Sequence, residues 1–488
     1  MSDVPRLGLD ALERLGRNAT FTPPEVDPRA LRVGVVHLGI GAFHRAHQAV
    51  FTELAMAAAG RDDWGIAGVT QRSTSVRDQL KPQDGLYTVL ERGPGAAPPR
   101  VVGSVREVLF GAGDPATVVD RIADPAVRVV ALTVTEKGYR RDGTGRLDRS
   151  DPEVAADLGG GPPRTVVGQL VRGLQRRSAG AAGPVTVLSC DNLVGNGQVL
   201  RGLVHDFLDA LPAADASPLA DWIAASVRFP SSMVDRIVPA TTDDDRADVR
   251  AVLGLDDRGV VVAEPFRQWV IEDDFAAERP AWDLAGAVFT DDVAAWESVK
   301  LRMLNATHSL LAYLGALRGH DTIAAALADD ELAVTAEALM IEDVAPTLRV
   351  PDGLDLAGYR RQVLERFANP ALRHRTVQVA MDGSQKLPVR LLGTVRDRLA
   401  AGAIPRQAAL AVAGWMAYVA NGRDARGREL PLDDPLAGRL RAAVAVGAGD
   451  PKRLVDSLLH IEEIFGADLP EQEGFRAVLI DHVARLTA

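Results

Sequence analysis

The chain has 488 residues, a formal net charge of -11 at pH 7, 47% hydrophobic and 25% charged residues, and one cysteine, Cys190. That balance excludes a disulfide framework and a cysteine-rich zinc site, and it argues against nucleic acid and anionic membranes as partners. The length calls for two domains; no apolar run could span a bilayer, and Met1–Arg6 lacks a secretory leader's basic-then-apolar order, so the cytoplasm is expected.

In chain order, the first element is a β-branched run, Leu31–Leu38, ending in Gly39-Ile-Gly-Ala-Phe-His-Arg-Ala-His-Gln48. Helical periodicity follows over Gln48–Ala55. Strand, glycine turn and helix form the setting of a dinucleotide fingerprint, in which Gly39 permits the tight turn and Gly41 lets backbone approach a pyrophosphate. The third glycine position holds His44, so the motif alone reads equally well as a plain βα turn.

Trp64–Val69, Val127–Val134 and Pro184–Ser189 read as buried parallel strands, and Arg140–Pro163, rich in Gly, Asp and Pro, as an exposed loop. Beyond Glu278–Trp282 the pattern turns helical, with helices predicted over about 291–318, 322–343, 356–368, 386–400, 405–420, 435–446, 451–465 and 470–487. The expected fold is α/β: a Rossmann-like N-terminal domain, residues 1–285, and a mainly α-helical C-terminal domain, residues 286–488. The active site is expected in the cleft between them.

One helix of the second domain carries Glu297, Lys300, Asn305 and His308. At about 100° per residue from Lys300, Glu297 falls at about 60°, His308 at about 80° and Asn305 at about 140°. Leu301 and Leu304 share that face, so it is not a plain solvated stripe. A lysine, an amide and an imidazole among leucines suit proton transfer. From the residues alone, His308 reads more readily as a core histidine, and Asn196 as a turn residue before Gly197.

Together these pieces resemble the mannitol dehydrogenase family of long-chain polyol dehydrogenases. Gly39–Gln48 is similar to its fingerprint, with Phe43-His44-Arg45 in the third-glycine region, and Lys300, Asn305 and His308 match its Lys-x4-Asn-x2-His. Asp84–Tyr87, Val134–Tyr139, Ser189–Asn192 with Asn196-Gly197, Met233–Ile237, Glu264–Glu272 and Asp382–Pro388 agree in order. The resemblance runs from about residue 30 to beyond 420.

The resemblance implies a metal-independent dehydrogenase. Lys300 acts as general acid/base, Asn305 and Asn196 donate to the substrate oxygen, His308 positions it, and Glu297 relays the proton. Asp235 and Lys386 would line the substrate site, with Arg373 and Arg375 as a fork for a carboxylate. A lysine starts from a pKa of about 10.4, and burial beside a positive nicotinamide would favour the neutral amine. No tyrosine is followed four residues on by lysine, which removes the short-chain dehydrogenase base, and His44 and His47 fall in the fingerprint rather than in a zinc site.

Gly39, Gly41, Phe43, His44, Arg45 and Arg72 are the candidate cofactor residues. The family mostly uses NAD, which is the expected cofactor. NADP stays open because Thr70–Ser75 holds Arg72 and no acid. The expected partner is a small sugar alcohol or sugar acid, on a monomer or weak homo-oligomer. D-mannitol/D-fructose stands first; D-mannonate/D-fructuronate and mannitol 1-phosphate follow, and a dinucleotide-binding sensor is the non-enzymatic alternative.

Overall fold

The computed structural model describes residues 4–15 and 20–488, which divide into two compact units, Met1–Ala294 and Ala295–Ala488. In the first, six parallel strands form the central sheet: β1 (Val33–Leu38), β2 (Gly65–Thr70), β3 (Val105–Phe110), β4 (Val129–Leu132), β5 (Val185–Ser189) and β6 (Val227–Arg228). Their order is β3-β2-β1-β4-β5-β6, the doubly wound arrangement in which ligands bind outside the carboxyl ends of the strands.

Strand alternation explains why the sheet is covered on both faces. Val36, Leu38, Val130, Leu132 and Val187 enter one core, while Val35, Val129, Ala131 and Leu188 enter the other. Two small three-stranded sheets complete the unit. One joins Ser232–Asp235, Gln268–Glu272 and Val288–Thr290, and places Asp235 opposite Gln268.

The segment Arg140–Pro163 is not simply an exposed loop. It contains the helix Pro152–Leu158, capped by Asp151, whose carboxylate accepts from the N–H groups of Glu153 (2.8 Å) and Val154 (3.2 Å). Proline just inside a helix and an acidic cap just before it are start signals that the surrounding glycines had obscured.

The second unit is helical and surrounds one core. Its longest helix, Arg406–Asn421, packs against Ala306–Leu317 and Glu473–Leu486. Among the described residues no helix is long and apolar enough to cross a membrane.

The single helix predicted over about 291–318 is in fact three pieces: Val293–Val299 (α), Lys300–Asn305 (π) and Ala306–Leu317 (α). Two features satisfy carbonyls at the wide turn. Thr307 Oγ1 donates to Met303 O (2.7 Å), and Arg390 Nη1 reaches Asn305 O (3.5 Å) and Ser309 Oγ (3.1 Å). Arg390 belongs to another π segment, Pro388–Leu392, where proline cannot donate to the α ladder.

Candidate functional site

The C-terminal ends of the parallel strands open onto a cavity of about 900 Å³. Gly39 and Gly41 line it after β1, Thr70 and Arg72 at the end of β2, Ala112 after β3 and Thr133 after β4. Gly39 has φ +101°, and a Cβ there would lie 2.0 Å from Thr133 O, so only glycine lets the turn close on β4. Gly41 differs: a Cβ there would meet nothing within 4 Å. The protein itself does not require glycine at 41, but a ligand seated against that backbone would.

The turn is pinned from beneath. His37 Nε2 donates to Thr133 Oγ1 (2.8 Å), whose hydroxyl donates to Gly39 O (2.7 Å). Asp191, after β5, accepts from Val134 N (3.0 Å), Thr135 N (2.9 Å) and the Tyr139 hydroxyl (2.8 Å). Thr135 is thereby held at φ +66°, a strained conformation at the cavity wall. Asp191 lay within the quoted Ser189–Asn192 motif, yet nothing in its spacing marked it as the anchor of this loop.

Three of the proposed cofactor residues turn inward instead. His44 is buried and stacks on His37 with ring centroids 3.5 Å apart, an imidazole packing helix to strand where a third glycine usually allows close approach. Arg45 is buried with its guanidinium on Gly259 O (2.6 Å), and Phe43 stacks on His47 at 5.0 Å. These residues build the turn and do not line the cavity; Arg72 does line it.

Burial pushes both His37 and His47 down to about 3. The unfolded chain therefore takes up protons that the folded chain refuses. Stability from these rings is complete above the ordinary value of 6.5 and is lost as pH falls toward about 3. At pH 5 the expected loss is about 2 kcal/mol per ring. Urea midpoints at pH 7.5 and 5 measure it. His47→Phe should flatten the slope, and equal wild-type midpoints at the two values would contradict it.

Asn196 begins the helix Asn196–Leu208 and is buried. Its Nδ2 donates to Asp191 O (2.9 Å) and Ser232 O (2.7 Å), while its Oδ1 accepts from Ser232 N (2.9 Å). The amide is fully engaged in tying the β5 end to Ser232–Asp235, and donating to a substrate oxygen would require breaking one of these bonds. Asp235 is also buried.

In the helical unit, Lys300 and His308 are buried, at 7% and 8% exposure, and Asn305 and Glu297 are half-buried. The π turn alters the helical-wheel reading. Residues five apart are one ladder step apart in a π-helix, so it brings Lys300 and Asn305 closer in angle than the 140° of a uniform α-helix.

His308 stacks on Phe367 (4.8 Å) and meets His374 edge-on (4.7 Å). Its buried Nε2 has no hydrogen-bond partner among the described residues. Burial holds this imidazole well below its ordinary value, helped by His374, Arg390, Lys386 and Arg366. The ring is thus neutral in a positive field, and its buried Nε2 is open to a polar group.

Lys386 belongs to that ring, with Nζ on Val379 O (3.2 Å) and Met381 O (2.5 Å). Arg373 and Arg375 do not: both are exposed, on either side of His374, which turns inward. Sequence reasoning chose the flanking arginines and missed His374 and Arg390. Arg390, four residues after Lys386, was legible only as a helical neighbour.

A Rossmann-type unit followed by a helical unit that carries Lys300, Asn305 and His308 on one helical stretch is the build of a long-chain oxidoreductase. The mannitol dehydrogenase Rossmann domain matches residues 33–284, and the mannitol dehydrogenase C-terminal domain matches 292–487. The chain belongs to the mannitol dehydrogenase family. It is 42% identical to the D-mannonate oxidoreductase of Escherichia coli (strain K12) over 464 residues, covering 94% of each chain. It is 36% identical to a mannitol 2-dehydrogenase of Pyrenophora tritici-repentis, covering 93% of this chain and 79% of that one. Among solved structures, the Pseudomonas fluorescens mannitol 2-dehydrogenase ternary complex with NAD and D-mannitol superposes with TM-score 0.86 at 36% identity, covering 99% of this chain and 96% of that one.

Proposed function

We propose that this oxidoreductase interconverts an acyclic six-carbon sugar acid and its keto form, with NAD as cofactor. The cations around His308 carry the choice of an acid over a neutral polyol: Lys386, Arg390 and Arg366 all act on a ring whose Nε2 lacks a partner among the described residues. A carboxylate gains more from such a setting than a hydroxyl does. The relationship to D-mannonate oxidoreductase points the same way.

In this reading the glycine turn after β1 holds the pyrophosphate, with Gly41 giving the space a side chain would fill. Bound NAD⁺ supplies the hydride acceptor. Lys300 Nζ takes the hydroxyl proton during oxidation and returns it during reduction. Asn305 donates to the oxygen as charge develops on it, a contribution of about 3 kcal/mol in comparable sites. His308 Nε2 contacts a substrate hydroxyl, Glu297 passes the proton onward, and Asp235 and Lys386 contact the remaining hydroxyls. Asn196 acts by holding the β5 end in place. Because His308 is already neutral, the rate should show no ionisation of this ring near 6.5.

D-mannitol/D-fructose is the second reading, favoured by the structural match to mannitol 2-dehydrogenase. Arg390→Ala separates the two. The variant should raise KM for D-fructuronate about tenfold or more and change KM for D-fructose by much less. Equal effects on both substrates would remove the carboxylate assignment.

A further inference from the structure

The end of β2 is where a Rossmann unit distinguishes its cofactors, because the adenosine ribose lies there. An NAD-selective site places an Asp or Glu at that point; the carboxylate binds the ribose 2′-hydroxyl and repels a phosphate. Here the segment is Thr70-Gln-Arg-Ser-Thr-Ser75, without an acid. Gln71 is turned aside, with Nε2 on Gln169 Oε1 at 3.1 Å. The nearest carboxylate along the chain, Asp78, is held by Arg77 at 3.0 Å.

Arg72 and Ser73 both line the 900 Å³ cavity. Arg77 is paired with Asp78 and lies over the Phe110 ring. Arg72, by contrast, has no ion-pair or hydrogen-bond partner among the described residues. Ser73 Oγ accepts from Ser75 N (3.1 Å), which leaves its own hydroxyl hydrogen to donate.

The rest of the cavity wall has the same sign. Among the described residues Glu153 is the one carboxylate lining it, and Arg140 pairs with that group. Lys137 and Arg164 also line the cavity, and neither side chain has an ion-pair partner among the described residues. A guanidinium with a neighbouring hydroxyl, in a groove without a free carboxylate, suits a dianionic phosphate monoester.

We propose that Arg72 and Ser73 receive the 2′-phosphate of NADP(H), so that the enzyme binds NADP(H) at least as tightly as NAD(H). This rests on the dinucleotide-dehydrogenase reading above and deepens it.

Equilibrium binding tests it without turnover. NADH and NADPH are titrated by nucleotide fluorescence, and 5′-AMP and 2′,5′-ADP by calorimetry, on the wild-type chain, Arg72→Ala and Gln71→Asp. The expected results are NADPH binding no weaker than NADH, 2′,5′-ADP at least tenfold tighter than 5′-AMP, and an NADPH-to-NADH affinity ratio that drops about tenfold in each variant. Arg72 is exposed, so its truncation leaves the core intact. Tight NADH with NADPH at least tenfold weaker would overturn this inference alone, as would an unchanged ratio in Arg72→Ala. Failure of both dinucleotides to bind would overturn it together with the proposed function.

Discussion

Lys300→Ala is expected to lower kcat for keto-sugar reduction by about 10²–10⁴, the range of a positioned general acid or base. Lys300 is 7% exposed, on a π turn whose far end is bonded by Arg390. The side chain is therefore largely buried, on the same π turn that carries Asn305. Dinucleotide affinity should change less than threefold, because the groove proposed for the nucleotide is built from the ends of β1 to β4. Stopped-flow NADH oxidation and fluorescence titration read the two quantities separately. A variant that retained kcat would remove Lys300 from the proton path, and one that lost nucleotide binding in parallel would indicate a folding defect instead.

The second large effect is expected at Gly41. Gly41→Val should weaken dinucleotide binding by about a hundredfold while leaving the denaturation midpoint within experimental error. The argument is steric. The backbone there has φ −75° and ψ −175°, which any residue can adopt, and a Cβ would meet no protein atom within 4 Å. The added atoms would occupy the space required by a pyrophosphate against the turn. Gly39→Val serves as the contrast: at φ +101° and 2.0 Å from Thr133 O, that substitution should damage folding as well as binding. If Gly41→Val bound nucleotide normally, the groove would lie elsewhere.

The layered α/β architecture was legible because four of the six parallel strands are short apolar runs that end in a turn; Val105–Phe110, with Arg106 and Glu107, and the two-residue Val227–Arg228 gave no such signal. Residues buried on both faces leave a continuous apolar signature. The helix Pro152–Leu158 was hidden because glycine-rich flanks outweighed its Asp-Pro start. The π turn had no local signature at all. Its carbonyl is bonded by Arg390, 85 residues away, so an angle calculation that assumes a uniform α-helix misplaces Asn305 relative to Lys300.

Functional residues followed the same division. Lys300, His308 and the two glycines stood out by type and spacing; the structure buries the first two and places the glycines in a cavity wall. Arg373 and Arg375 were chosen for charge, but successive side chains diverge here, and the inward position between them belongs to His374. The resemblance implied a donor role for Asn196, which by itself reads as a turn residue; its three hydrogen bonds hold two segments that meet only in the fold. Phe43, His44 and Arg45 mark the fingerprint in sequence because they pack the turn.

The proposed reaction is reduction of the keto form of a six-carbon sugar acid with a nicotinamide cofactor. Its most direct test is the absorbance at 340 nm when purified wild-type chain is mixed with NADH and either D-fructuronate or D-fructose. The expected result is oxidation of NADH with D-fructuronate at a kcat/KM at least tenfold above that with D-fructose. A preference for D-fructose, or no oxidation with either sugar, would contradict it.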